Sequence, residues 1–210
     1  MRRIAFLLLV LSMSVSGFAA SDGLTLKFSD AKEWEKKESA RLLRLDEISR
    51  NWSAKNKDAF AKLRQAAETF AVASSRNETD QAGTGRVEFI DEAYAEIKDD
   101  LVQDIERSEN GEFPNYTEAE FEELDVKLNQ SYRAIMHPGP NDKKQPEIFT
   151  GITRDGIKEA QRAWLKYRDA WMAFGRVHYP AVPGYVWKGM LTDRRNKQLE
   201  DLRSTVGWAE

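Results

Sequence analysis

Gln161-Arg162-Ala163-Trp164-Leu165-Lys166-Tyr167-Arg168-Asp169-Ala170-Trp171 carries the most decisive pattern in the chain. Gln161, Trp164, Arg168 and Trp171 follow one another at steps of three and four, which aligns them on one face of an α-helix. Tyr167 adds a third large ring to the stretch. Bulky aromatics at helical spacing read as the core of a helical protein.

The same spacing recurs on both sides of this helix, which is expected from about Thr153 to Val177. A first helix is expected from Ser29, its N-cap, to Trp52, with Trp34, Leu42, Leu45, Ile48 and Trp52 as its buried stripe. A second covers Ser53 to Ser75 with Phe60, Leu63, Ala67 and Phe70 inward. A third runs from Gly85 to Glu109 with Phe89, Ala93, Ile97, Leu101 and Ile105, and Asn110-Gly111 and Pro114 stop it. Thr117 and Glu120 form a capping-box pattern that opens a fourth helix, which ends near Met136. The sixth follows the turn at Pro180, Pro183 and Gly184 and spans about Tyr185 to Thr205. Strand signals are scarce, so the fold class is all-α with six main helices.

The halves share an order of helix, turn, helix, Gly-containing loop, helix. Phe60, Leu63 and Phe70 align with Ile157, Ala160 and Tyr167 at a constant offset of 97, and Leu45, Ile48 and Trp52 with Asp125, Leu128 and Tyr132 at 80. Two divergent copies of one three-helix unit, 24–110 and 116–206, explain this likeness; coincidence among amphipathic helices would do so too.

The N-terminus reads as an export signal, residues 1–19. Met1-Arg2-Arg3 is basic, Ile4 to Leu11 is apolar but shorter than a membrane span, and Gly17 and Ala19 are the small residues before a cut. The expected location is periplasmic or secreted, with no membrane span after cleavage. The chain has no Cys, so neither a disulfide nor a lipidated mature Cys is available, and packing must hold the fold.

Loss of Arg2 and Arg3 takes the formal charge from −3 to −5. Residues 88–112 hold ten acids against Lys98 and Arg107. That balance excludes nucleic acid as a partner class and favours a basic protein.

Three strings occur in order in the second half: Asp125, Leu128, Asn129 and Tyr132; then Gln161, Trp164, Tyr167, Arg168, Asp169 and Ala170; then Leu191-Thr192-Asp193-Arg194-Arg195. Over about 116–204 they resemble the lysozyme inhibitor LprI-like family of small exported bacterial proteins. The resemblance implies a helical domain that binds a lysozyme or another cell-wall hydrolase. It also implies a disulfide between positions held here by Met172 and Trp187, so apolar contact between these two is expected to replace the bridge. The motif side chains read as structural, with Arg168 and Asp169 clamped internally to Asp125, Asn129 or Tyr132.

Signs of catalysis are missing. His137 and His178 lack the spaced partners of a zinc site, Gly83-Thr84-Gly85 lacks the Lys of a phosphate cradle, and no Gly-x-Ser-x-Gly elbow exists. No enzyme activity, cofactor or metal is expected. Two regions are candidate partner contacts: the acidic third helix with Glu92, Glu96, Asp99 and Asp100, and the loop from His137 to Thr150 with His137, Asn141, Lys143, Lys144 and Phe149. Each also has a plain alternative, a solvated helix face and a tolerated insertion. The expected function is a non-catalytic inhibitor that occludes a cell-wall hydrolase. An immunity protein against a delivered toxin and an envelope structural or stress module are the rival classes.

Overall fold

The computed structural model describes residues 31–137 and 151–206. The expected signal, the Ser29 cap, and Asn141, Lys143, Lys144 and Phe149 lie outside them. Six helices follow in order: α1 (Ala31–Ser49), α2 (Ala54–Asn77), α3 (Arg86–Glu109), α4 (Glu118–Met136), α5 (Arg154–His178) and α6 (Gly184–Val206). The fold is all-α, with no strand among the described residues.

Local chemistry sets the helix starts. The Ser53 hydroxyl accepts the Asn56 N–H and starts α2, and Thr153 accepts Gly156 N–H to start α5. The predicted capping box forms at α4: Thr117 Oγ1 accepts Glu120 N–H at 3.2 Å, and the Thr117 N–H donates back to Glu120 Oε2 at 2.7 Å. The amide of Asn110 bonds back into the last turn of α3 and ends it.

α2 and α5, one from each half, form the most extensive helix pairing. α3 lies on α2 and α6 on α5, while α1 rests on α3 and α4 on α6. One buried apolar cluster draws on all six helices. At its centre Phe70 of α2 stacks on Tyr167 of α5, 5.8 Å between ring centroids, and Trp164 and Trp171 are almost wholly enclosed. Truncating a buried indole to Ala typically costs about 3–5 kcal/mol, so these rings carry much of the stability of a chain without bridges.

α3 corrects the expected inward stripe. Phe89 is 48% exposed and lies against Gly85, whereas Tyr94, Ile97, Leu101 and Ile105 are buried together with Lys98, Asp104 and Ser108. A strict four-residue ladder rotates about 40° per step on a helix of 3.6 residues per turn, so Phe89 and Ile105 end on different faces. Leu42 of α1 is likewise exposed, and Arg41 is buried in its place. The buried charged groups Arg41 and Lys98 of this half are paired. Lys98 binds Glu38 at 2.9 Å and also Glu68, and the Tyr94 hydroxyl donates to Glu68 at 2.8 Å.

Candidate functional site: a groove between α3 and α6

Glu92, Glu96, Asp100 and Asp104 recur every fourth residue along α3. The last three line a groove of about 690 Å³ closed on its other sides by the 112–116 segment and by Met190, Asp193, Arg194 and Lys197 of α6. Glu92 is exposed one turn beyond it. The 112–116 segment is pinned at two points. Phe113 meets Tyr179 and Trp187 edge-on, with centroids at 5.5 and 5.9 Å. Tyr116 sits so close to Gly189 that a Cβ there would approach its ring within 2.7 Å, and its hydroxyl donates to Asp193 at 3.2 Å.

Arg194 anchors the floor. Its Nε lies 3.0 Å from Asp100, and its terminal nitrogens bond Asp104 at 2.9 and 3.2 Å. Burial opposes the charge on Arg194, but hydrogen bonding and attraction from Asp104 and Asp100 outweigh it and hold the guanidinium protonated. Asp100 is pushed up to about 6, chiefly by burial; Arg194 pulls it down, and Asp104, Glu96 and Asp99 push it further up. The groove thus holds more negative charge than its own cations neutralise.

The other candidate contacts are placed differently. Asp99 turns away toward α1, where Arg41 grips it with two bonds of 2.6 and 2.9 Å. His137 is exposed at the end of α4.

The motif residues spread between core and surface. Leu128, Gln161, Trp164 and Tyr167 are buried, and the Trp171 indole donates to the Tyr167 hydroxyl at 2.9 Å. Arg168 lies over the Trp164 ring at 5.2 Å, with Asp125 and Asp169 at 3.6 and 3.7 Å, too far for direct hydrogen bonds. Asn129 donates to Asp125, and Tyr132 is half-buried, its pKa raised by that burial. Trp187 stacks on Trp171 at 5.3 Å, and the Met172 methyl rests on Gly184, three residues before Trp187 on α6.

Two polar clusters escaped sequence reasoning. Arg195, 0% exposed, forms a two-pronged pair with Glu78 at 2.8 and 2.6 Å and donates to Gln161 at 2.9 Å. Ser74 donates to the same Glu78 carboxylate at 2.9 Å. At the far end of α3, Glu109 accepts from Trp52 Nε1 at 3.2 Å and Tyr179 at 2.7 Å, and His178 Nε2 lies 2.8 Å away. Burial first, then Glu109, pushes the Tyr179 hydroxyl well above its usual range. Glu78 carried only a faint signal, a charge directly after a helix end.

The string Leu191 to Arg195, which supplies the groove floor and the buried lock, falls in a recognisable domain. Residues 105–202 match the lysozyme inhibitor LprI family. The match covers a little under half of the 210 residues and begins inside α3, ahead of Tyr116. No curated protein and no solved structure matches the chain. The LprI segment contributes Glu112, Phe113, Tyr116 and Arg194 to the groove; Glu96, Asp100 and Asp104 come from outside it. Among the described residues no helix is long and apolar enough to cross a membrane, and no group of three potential metal ligands converges.

Proposed function

We propose that this chain is an exported, non-catalytic binding protein that inhibits a cationic cell-wall hydrolase of the lysozyme class. The LprI match carries the reading, since that family is described as lysozyme inhibitors. The excess of carboxylates along α3 supports it, because opposite surface potentials steer two proteins together and fix their register. Inhibition needs only that the bound protein cover the enzyme's glycan cleft. In the same reading the first half is a divergent copy of the LprI unit. Each half sets its first and second helices against its third, and Phe70 and Tyr167, matched by the sequence offset, stack on each other between the halves.

The test is lysis of purified cell walls by several lysozyme types with the mature protein added in about tenfold molar excess and at about 10 μM or more, a concentration that saturates nanomolar to micromolar binding. Slowed lysis by at least one type, weakened as salt is raised, is expected. Unchanged rates across all types would overturn the reading. Capture from a periplasmic extract then names the target without presupposing it.

A further inference from the structure

We infer that α1 is a releasable strap: it lifts from α3 as a unit, pivoting at Trp52, while α2 to α6 stay folded. Docked, it covers part of the charge on the acidic helix; released, it shows that charge to the solvent.

The inner face of α1 is mostly polar. Its enclosed residues are Arg41, Leu45 and Ser49, so Leu45 is its one buried apolar side chain. Trp34 and Ile48 are only partly covered. Ion pairs supply the rest of the attachment. Arg41 bonds Asp99 of α3 at 2.6 and 2.9 Å, and Glu38 lies 2.9 Å from Lys98. Arg44 pairs with Glu106, and Asp46 with Arg64 of α2 at 3.0 Å. Desolvation offsets much of the attraction in a buried pair, and exposed pairs contribute little. A helix held in this way docks weakly.

α4 gives the contrast. It has the same 19 residues, and it lies on α6 as α1 lies on α3. It buries both Leu128 and Ile135 and packs on its neighbour more extensively than α1 does. The Asn196 amide also ties it down, donating to the Leu124 carbonyl at 3.0 Å.

The pivot is firm. The Trp52 ring lies against Phe60, Phe174 and His178, with centroids at 5.0, 5.6 and 4.1 Å. Lys57 donates to the Arg50 carbonyl at 2.7 Å and fixes the turn into α2. Release therefore stops at that turn. Lys98 keeps Glu68 when Glu38 departs, so α3 is not left with an unpaired buried charge. Asp99 and Glu106 lose the arginines that neutralise them. Half-buried Val102, one turn from both Lys98 and Glu106, shares the uncovered face.

Hydrogen exchange of the whole mature protein, followed by peptide mass spectrometry, tests the strap. Freed from α3, a helix of this length is marginal in water, so its amides exchange whenever it lifts. Amides of 35–48 are expected to exchange at least about tenfold faster than those of 121–134 in α4. Asp99→Asn, at a side chain half open to solvent, should speed α1 exchange about tenfold, the worth of one charge-assisted hydrogen bond. The exchange of α2, α4 and α5 should not change. Raising sodium chloride from about 0.1 to 1 M should also speed α1 selectively, by about threefold, as the partly exposed pairs are screened. Exchange of α1 at the rate of α4 would overturn the strap. Equal acceleration of every helix by Asp99→Asn would do the same, because it marks global unfolding. Rapid α1 exchange that neither Asp99→Asn nor salt alters would show ordinary fraying, and the strap would again be overturned.

Discussion

Removing the carboxylate of Glu78 tests how the two halves are joined. Arg195 is fully enclosed, Glu78 is 7% exposed at its side chain, and the two bonds between them are the guanidinium's main neutralisation; Gln161 adds a neutral acceptor. Glu78→Ala strands a charge in a core that holds Phe70 5.5 Å from the guanidinium carbon. Breaking a buried pair from one side typically costs about 3–5 kcal/mol, against a total stability of about 5–15 kcal/mol for a domain. Replacing both partners, Glu78→Leu with Arg195→Met, removes the stranded charge and should restore most of the loss, to within about 1–2 kcal/mol of wild type. Urea unfolding followed by far-ultraviolet circular dichroism measures both variants; an unchanged slope certifies that the comparison is of stability alone. A single variant that loses under about 1 kcal/mol would refute the reasoning, because that is the worth of a pair in water.

Three further outcomes are expected. Gly175→Ala should destabilise by about 1–3 kcal/mol in thermal melts, because a Cβ there would stand 2.5 Å from Trp187 Nε1. Arg168→Ala should cost no more than about 1 kcal/mol in urea unfolding, far less than Glu78→Ala, since Arg168 is partly open to solvent and its carboxylates stand off at 3.6 and 3.7 Å. Asp100→Asn should alter the pH profile of stability. Asp100 is raised from 3.8 to about 6 in the folded state, so the folded protein binds this proton more tightly; the stabilisation is full below about pH 4 and is lost as pH rises through 6. Wild type should therefore decline relative to the variant between those values, by on the order of 1 kcal/mol given solvent screening at this half-open position. A pH-independent difference would show that Asp100 titrates normally.

The helices were legible because their signals are local. Ser53, Thr117 and Thr153 sit where caps must sit, and the aromatic spacing of α5 admits no strand. Which face turns inward was less legible. On α3 a four-step series from Phe89 and a mixed series through Tyr94, Ile97 and Leu101 overlap, and only contact with α2 separates them. The polar locks were illegible for a different reason. Glu78 and Arg195 lie 117 residues apart, and each looks like an ordinary surface charge in its own neighbourhood. Arg168 drew attention because it sits inside the family string, yet its neighbour along the core, Gln161, holds the enclosed guanidinium. Groove residues Glu96 and Asp100 were found through charge density, whereas Phe113, Tyr116 and Arg194 join them only through the path of the chain after α3.

The buried couple between the end of α2 and α6 also limits how such a gene can be rearranged. A crossover anywhere between codons 78 and 195 that brought in one member of the Glu78–Arg195 couple from a relative lacking its mate would yield a hybrid with an orphan ion in a dry interior. Such a hybrid would carry the roughly 3–5 kcal/mol penalty of a broken buried pair, which disfavours separating the first half from the matched segment 105–202.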